Sequence, residues 1–367
     1  MAEEWFVRVE GREYGPVDLA TLLEWKAEGR LIATNELRKS DDVAWSDASA
    51  IPQLFPPPLP RFDQHNDEVV RRRTFGQIIS ETIRIYAKGF PQFFALALLI
   101  AIPSLGLKLS LAFINIPEGE PLAGTSKIAA AVAVVMLAAL LAAWPIFLGA
   151  LQFATADLAA GQKIRLGDIL RRATNFWPRI AKLAMFVYGS FMFWTVLPVI
   201  LILGLAATPS IPSLLLAFVA LAFQVYMAGR LFINFLFWQQ SCTLGGLEGI
   251  EALRDSRDLA RSRTEAPRLQ RPLYRGAILA SLWVLVVIAL GLAVEVPFMM
   301  WRLRGITDLE QAVAMIQTLA RAPGPDMITI ITYVLSSVVN AIFRPLLGIA
   351  FVILYFDARA GFRGDRS

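Results

Sequence analysis

The chain has 367 residues but only one cysteine, Cys242, and only one histidine, His65. A lone cysteine excludes an intrachain disulfide. One cysteine and one histidine also argue against a Cys/His zinc site and against a Ser-His-Asp or Cys-His triad. Charge is scarce too: Asp, Glu, Lys and Arg make up 18% of the chain, against about 25% in ordinary soluble proteins. Met1 is followed by Ala-Glu-Glu-Trp, with neither a basic n-region nor an apolar h-region. The expectation is no secretory signal peptide, with the N-terminal residues staying on the synthesis side of the membrane. No residue constellation points to a catalytic site, a metal site or a cofactor.

What the chain has in abundance is apolar sequence, 56% of residues, with a mean hydropathy of +0.55. The distribution is uneven. Residues 1–73 are polar and mixed in charge, and long apolar runs follow Arg71-Arg72-Arg73. The reading is a small α+β domain at 1–55, a Pro-rich and charged linker at 56–73, and an all-α polytopic membrane domain at 74–367 with about six transmembrane helices. The net charge of +5 does not call for a nucleic-acid partner, because the basic residues cluster beside apolar runs, as the positive-inside rule describes.

In the N-terminal domain Trp5-Phe6-Val7-Arg8-Val9 alternates as a strand does, Gly11-Arg12 makes a turn, and Tyr14-Gly15-Pro16-Val17 resumes, so 4–17 predicts a hairpin. Leu19, Leu22, Leu23 and Trp25 have helical spacing, with Asp18 as N-cap and Gly29 as the stop. Short strands are expected at 32–38 and around Trp45, before the closing Ile51-Pro52-Gln53-Leu54.

Trp5-Phe6, Tyr14-Gly15-Pro16, Leu22-Leu23-x-Trp25, Gly29-Arg30-Leu31, Trp45 and the Ile-Pro-x-Leu end together resemble the bacterial GYF-like domains. Eukaryotic GYF domains bind proline-rich peptides in a polyproline II conformation. The resemblance implies a peptide-binding surface formed by Trp5, Tyr14, Trp25 and Trp45. Arg30-Leu31 stands where the namesake tripeptide has two aromatics. Aromatic grooves do suit preformed polyproline II segments, but a very small domain also needs large side chains to fill its core, and both uses of these aromatics stay open. The linker segment Phe55-Pro56-Pro57-Pro58-Leu59-Pro60 reads either as a stiff spacer or as a ligand for its own or a neighbour's domain.

Six runs reach span length, at about 90–114, 127–156, 181–206, 212–238, 275–301 and 327–356. The connections at 157–179 (Lys163, Arg165, Arg171, Arg172, Arg179) and 239–275 (seven arginines from Arg254 to Arg275) are basic. Those at 115–127, with Glu118 and Glu120, and at 206–212 are not. Arg71–Arg73, Arg84, Lys88 and the tail residues Arg359, Arg363 and Arg366 join the basic side. Only the connection after span five, with Arg302, Arg304 and Arg321, runs against the pattern. Both termini are therefore expected to be cytoplasmic, in a bacterial inner membrane. Prolines 103, 145, 198, 297 and 345 interrupt five of the spans and raise the question of broken helices.

A repeat is visible as well. Phe75-Gly76-Gln77-Ile78-Ile79, Leu166-Gly167-Asp168-Ile169-Leu170 and the longer run from Leu247 to Leu253 each precede a hydrophobic hairpin. The unit is an interfacial helix plus two spans, three times over. In the first, Ile78, Ile79, Ile83, Ile85 and Phe90 oppose Glu81, Arg84 and Lys88. The ending Leu354-Tyr355-Phe356-Asp357-Ala358-Arg359, with weaker traces at Phe75-x-x-x-Ile79 and Ala252-Leu253-x-x-Ser256, resembles the membrane domain of glycerophosphodiester phosphodiesterases over most of 74–362. In those enzymes the chemistry belongs to a separate soluble domain, so the resemblance implies a membrane scaffold.

Ionisable groups within spans are functional candidates by default. They are Arg230 and Asn234 in span four, Glu295 in span five and Arg344 in span six, with Asp157 and Asp357 closing spans two and six. Arg230–Asp157 or Arg344–Asn234 pairing would hold the bundle together. Alternatively, these residues form a site for anionic membrane lipids or line a transport path. The function expected is recruitment of a proline-rich protein to the membrane by a non-enzymatic scaffold. The alternative is a small-molecule or lipid transporter regulated by the N-terminal domain, and a lipid-directed enzyme using Asp157, Asp168 or Asp357 is a third reading.

Overall fold

The computed structural model describes residues 4–9, 12–28, 30–32, 34–42, 44–51, 54, 69–114, 124–206, 210–304, 308, 311 and 324–364. The expected stop at Gly29, the Pro-rich segment 55–60, His65, Glu118, Glu120, Arg321 and Arg366 lie outside them. Two compact units are present, Met1–Arg61 and Phe62–Ser367.

In the first unit strands β1 (Glu4–Val9), β2 (Arg12–Asp18), β3 (Glu36–Lys39) and β4 (Ser46–Asp47) form one antiparallel sheet in the order β2-β1-β3-β4. Helix α1 (Leu19–Ala27) begins where expected: the Asp18 carboxylate accepts from the Thr21 N–H at 2.9 Å. Alternation along β1 turns Trp5 and Val7 inward. They meet Leu22, Leu31, Leu37, Ile51 and Leu54 in a small core. Gly15 has φ +135°, and a Cβ there would lie 2.7 Å from the Trp5 carbonyl oxygen, so this position of β2 demands glycine.

The second unit is helical. It contains α2 (Phe75–Lys88), α3 (Phe90–Ala112), α4 (Gly124–Ala159), α5 (Leu166–Ala206), α6 (Ile211–Phe235), the short α7 (Trp238–Thr243), α8 (Gly249–Ala260), α9 (Pro272–Arg302) and α10 (Met327–Gly364). Six stretches are long and apolar enough to cross a membrane: Phe90–Ala112, Gly124–Ala159, Leu166–Leu205, Ile211–Thr243, Pro272–Arg302 and Met327–Phe362. Even the shortest, at 23 residues, exceeds the ~20 needed to span a hydrocarbon core. Between 11 and 39% of each apolar window is buried, so large apolar side chains cover the outside, which suits a multi-pass membrane protein.

Consecutive long helices pack as hairpins, α3 with α4, α5 with α6 and α9 with α10, and α10 also lies against α2, α3 and α4. The prolines at 103, 145, 198, 297 and 345 sit inside continuous helices, so none of these helices is broken there. The repeat is uneven. Gly89 separates α2 from α3, and residues 261–271 separate α8 from α9. In the middle unit no glycine or loop intervenes between 168 and 188, and the amphipathic start is continuous with the span as a 41-residue helix.

Helix α2 also departs from the expected two-faced pattern. Glu81, placed on the polar face by sequence, is buried at 8% exposure, whereas Ile83 is 57% exposed. The reason is an ion pair that turns this face of the helix inward.

Candidate functional site

The first unit carries the aromatic residues singled out by sequence, and it does not gather them. Trp5 is 5% exposed and belongs to the core, with its Nε1 buried and unpartnered. This corrects its assignment to a surface, because β1 alternation places it under the helix with Val7. Tyr14 is 46% exposed. Trp25 lies half-buried at the core's rim, with the Arg30 guanidinium 5.0 Å from its ring centroid. Trp45 is half-buried under Arg8, whose Cζ is 3.9 Å from the ring centroid, with Arg38 at 5.3 Å. Arg38 also covers Phe6 at 4.9 Å, and Arg8 is held by Glu13 at 2.8 Å and Glu36 at 3.2 Å. Among the described residues no ring–ring contact joins the four aromatics. Tyr14 is the open one, while the ring faces of Trp25 and Trp45 are already shared with arginines.

The helical unit concentrates its charge where α2 begins, α4 and α10 end and α9 starts. Asp357 is fully buried at the end of α10. Its Oδ1 accepts from the Arg73 backbone N–H at 2.7 Å, and its Oδ2 accepts from Arg275 at 2.9 Å and Arg263 at 3.0 Å. Arg263 also donates to the Asp357 carbonyl, and Arg275 to the Arg73 carbonyl at 2.8 Å. Arg263 has φ +61°, a left-handed backbone that a bulky side chain adopts at some cost and that the buried ion pair maintains.

Arg73 reaches the other way, from Nε to Glu81 at 2.6 Å. Burial pushes the Glu81 carboxyl up, but the Arg73 hydrogen bond and charge, with Arg71 and Arg84 each at 3.6 Å, hold it below the usual carboxylate range. A second network lies close by in sequence: Arg359 forms a bidentate pair with Asp255 at 2.8 and 2.9 Å, and Ser241 donates to the same carboxylate at 2.7 Å.

The pairings expected within the spans are replaced. Asp157 accepts from Arg172 at 2.8 Å, a residue near the start of the following helix, and not from Arg230. Arg230 is exposed on α6, and no partner for it is found among the described residues. Asn234 and Arg344 do not pair: Asn234 Oδ1 and Arg344 Nη1 are each buried without a partner, and the Arg344 guanidinium lies 5.8 Å from the Trp144 ring centroid. Gln92 Oε1 and Gln152 Oε1 are orphaned likewise.

The sequence singled out Asp157 and Asp357, which the structure places in ion pairs, but did not single out Arg73, Glu81, Asp255, Arg263 and Arg275 as their neighbours in these networks. Their signal was present in part. The two charges of the Asp357-Ala358-Arg359 ending turn out to anchor one network each.

Comparison with known proteins bears on the first unit. Residues 5–54 match the family GYF domain 2. No curated protein and no solved structure matches the chain. These comparisons lend no support to the resemblance of 74–362 to the glycerophosphodiester phosphodiesterase membrane domain.

Proposed function

We propose that this chain is a non-enzymatic multi-pass protein of the bacterial inner membrane whose N-terminal module holds a proline-rich segment of another protein and so recruits it to the membrane. The observation that carries this reading is a GYF domain 2 match at 5–54 on a chain with six membrane-length apolar helices. The exposed Tyr14 and the half-buried Trp25 support it, because a polyproline II segment docks against aromatic-lined grooves. The basic residues at the α2, α4, α9 and α10 ends favour cytoplasmic termini, by the positive-inside rule. In this reading the helical unit is a relative of the glycerophosphodiester phosphodiesterase membrane domain and serves as scaffold.

Titration of the full chain in nanodiscs with synthetic proline-rich peptides tests the proposal. Tyr14→Ala is expected to weaken binding about tenfold, one aromatic contact's worth. Absence of binding to any such peptide, or binding indifferent to both Tyr14→Ala and Trp25→Ala, overturns it.

One observation favours a second reading, passage of a small polar molecule. Gln92, Gln152, Asn234 and Arg344 stand on four different helices, each with a buried polar atom that lacks a partner, and such atoms call for water or a polar ligand. Vesicle flux that is equal for the wild type and Arg344→Ala removes this reading.

A further inference from the structure

Three cavities adjoin along the segment that leads into α2. The largest, about 930 Å³, runs from Arg72 and Arg73 past the start of α2 to Arg263 and Arg275. The second, about 290 Å³, shares Arg72, Arg73 and Gln77 with it and continues to Arg84. The third, about 410 Å³, shares Arg71, Arg73 and Arg84 with the second and reaches Ala159 and Ala160 at the end of α4. Together they form one cleft lined by six arginines.

The acidic groups that meet these arginines are fewer. Glu81 faces three of them, Arg71, Arg73 and Arg84. Asp357 lies beneath the cleft against two, Arg263 and Arg275. Glu265 is the remaining carboxylate among the described lining residues. Among the described residues, and with Arg72 left aside, five guanidinium groups against three carboxylates leave the cleft positive. The excess stands toward solvent, since Arg71 and Arg84 are 61% and 71% exposed while Arg73, Arg263 and Arg275 are committed to buried pairs.

The cleft sits where apolar helices end. Its walls are the first turn of α2, the end of α4 and the first turn of α9, over the last turns of α10. In a membrane the ends of spanning helices lie near the lipid phosphates. A basic pocket between spans at that depth suits an anionic headgroup, and guanidinium forks match phosphate oxygens.

We propose that this cleft binds the phosphate of an anionic lipid headgroup, with Arg71 and Arg84 as the charges that meet it. This is independent of peptide binding by the N-terminal module. The shared chemistry is a phosphate anion, which a soluble phosphate would also supply, and the depth of the cleft selects the lipid.

The test is lipid binding by the full chain in detergent, followed by native mass spectrometry, with phosphatidylglycerol, phosphatidylcholine, glycerol 3-phosphate and inorganic phosphate as separate probes. Phosphatidylglycerol is expected to bind in preference to phosphatidylcholine. Arg71→Gln and Arg84→Gln should each weaken it about fivefold, as one basic residue near a charged membrane surface does. Lys163→Gln with Arg165→Gln, exposed residues outside the cleft, should leave it unchanged, and unaltered thermal melts would show that the folds are intact. Equal retention of the two lipids, or equal loss in the Lys163/Arg165 pair, overturns the proposal. So does tight binding of either soluble phosphate without a lipid preference.

Discussion

Replacing Asp357 by Asn should be among the most damaging single changes in the helical unit. The substitution conserves volume and keeps an oxygen for the Arg73 N–H, but it removes the charge shared by Arg263 and Arg275. Those side chains are 10% and 7% exposed, and Asp357 is not exposed at all. Water therefore cannot take over, and breaking a buried ion pair from one side costs about 3–5 kcal/mol. With two guanidinium groups left uncompensated, the upper half of that range is expected. The loss should also spread, because Asp357 ties the approach to α2, the turn before α9 and the end of α10 to one another. Unfolding of the full chain in bicelles, followed by helical circular dichroism, measures it. Arg263→Met in the Asp357→Asn background removes one of the stranded charges, and it should restore part of the stability. A loss below about 1 kcal/mol for Asp357→Asn, or strict additivity in the double variant, would refute the reasoning.

Three further outcomes follow from the geometry. Trp5→Ala should destabilise the N-terminal unit by about 3–5 kcal/mol as a core truncation, whereas Tyr14→Ala should leave its melting unchanged, and differential melting of the two variants checks this. Gly15→Ala should cost about 1–3 kcal/mol, from a positive φ and the approach to the Trp5 carbonyl, read as earlier loss of that unit's tryptophan signal on heating. Because the folded Glu81 carboxyl titrates below its ordinary value, of about 4.3, its contribution is full above that value and drains as pH falls through the lowered one. Glu81→Gln should therefore be less stable at neutral pH and show a shallower loss on acidification, measured by melts across that range.

The local structure was legible where single residues dictate it. Asp18 caps α1, and the alternation from Trp5 to Val9 makes a strand. The apolar runs make six long helices, most of whose starts fall within a few residues of the runs, but the third begins at Leu166 and not at 181, because its amphipathic start is continuous with the span. What was not legible is partner choice. Glu81 and Ile83 traded faces because Arg73, eight residues away and outside the helix, takes the carboxylate inward. Asp157 chose Arg172 across a tight connection and not Arg230 within the membrane. Periodicity reports which face is apolar within an element, but a buried ion pair depends on residues such as Arg263 and Asp357, 94 positions apart. Trp5 illustrates the same limit. Spacing marks an aromatic as part of a motif, yet only the pleat of β1 against α1 decides between groove and core.

The most direct test of the recruitment account is photo-crosslinking in intact cells from a probe replacing Tyr14, with the same probe at Glu24 on the exposed side of α1 as control. The account predicts a crosslinked partner whose attachment site, mapped by mass spectrometry, falls in a proline-rich segment, and no such product from position 24. Identical products from both positions, or attachment sites without proline, would contradict it.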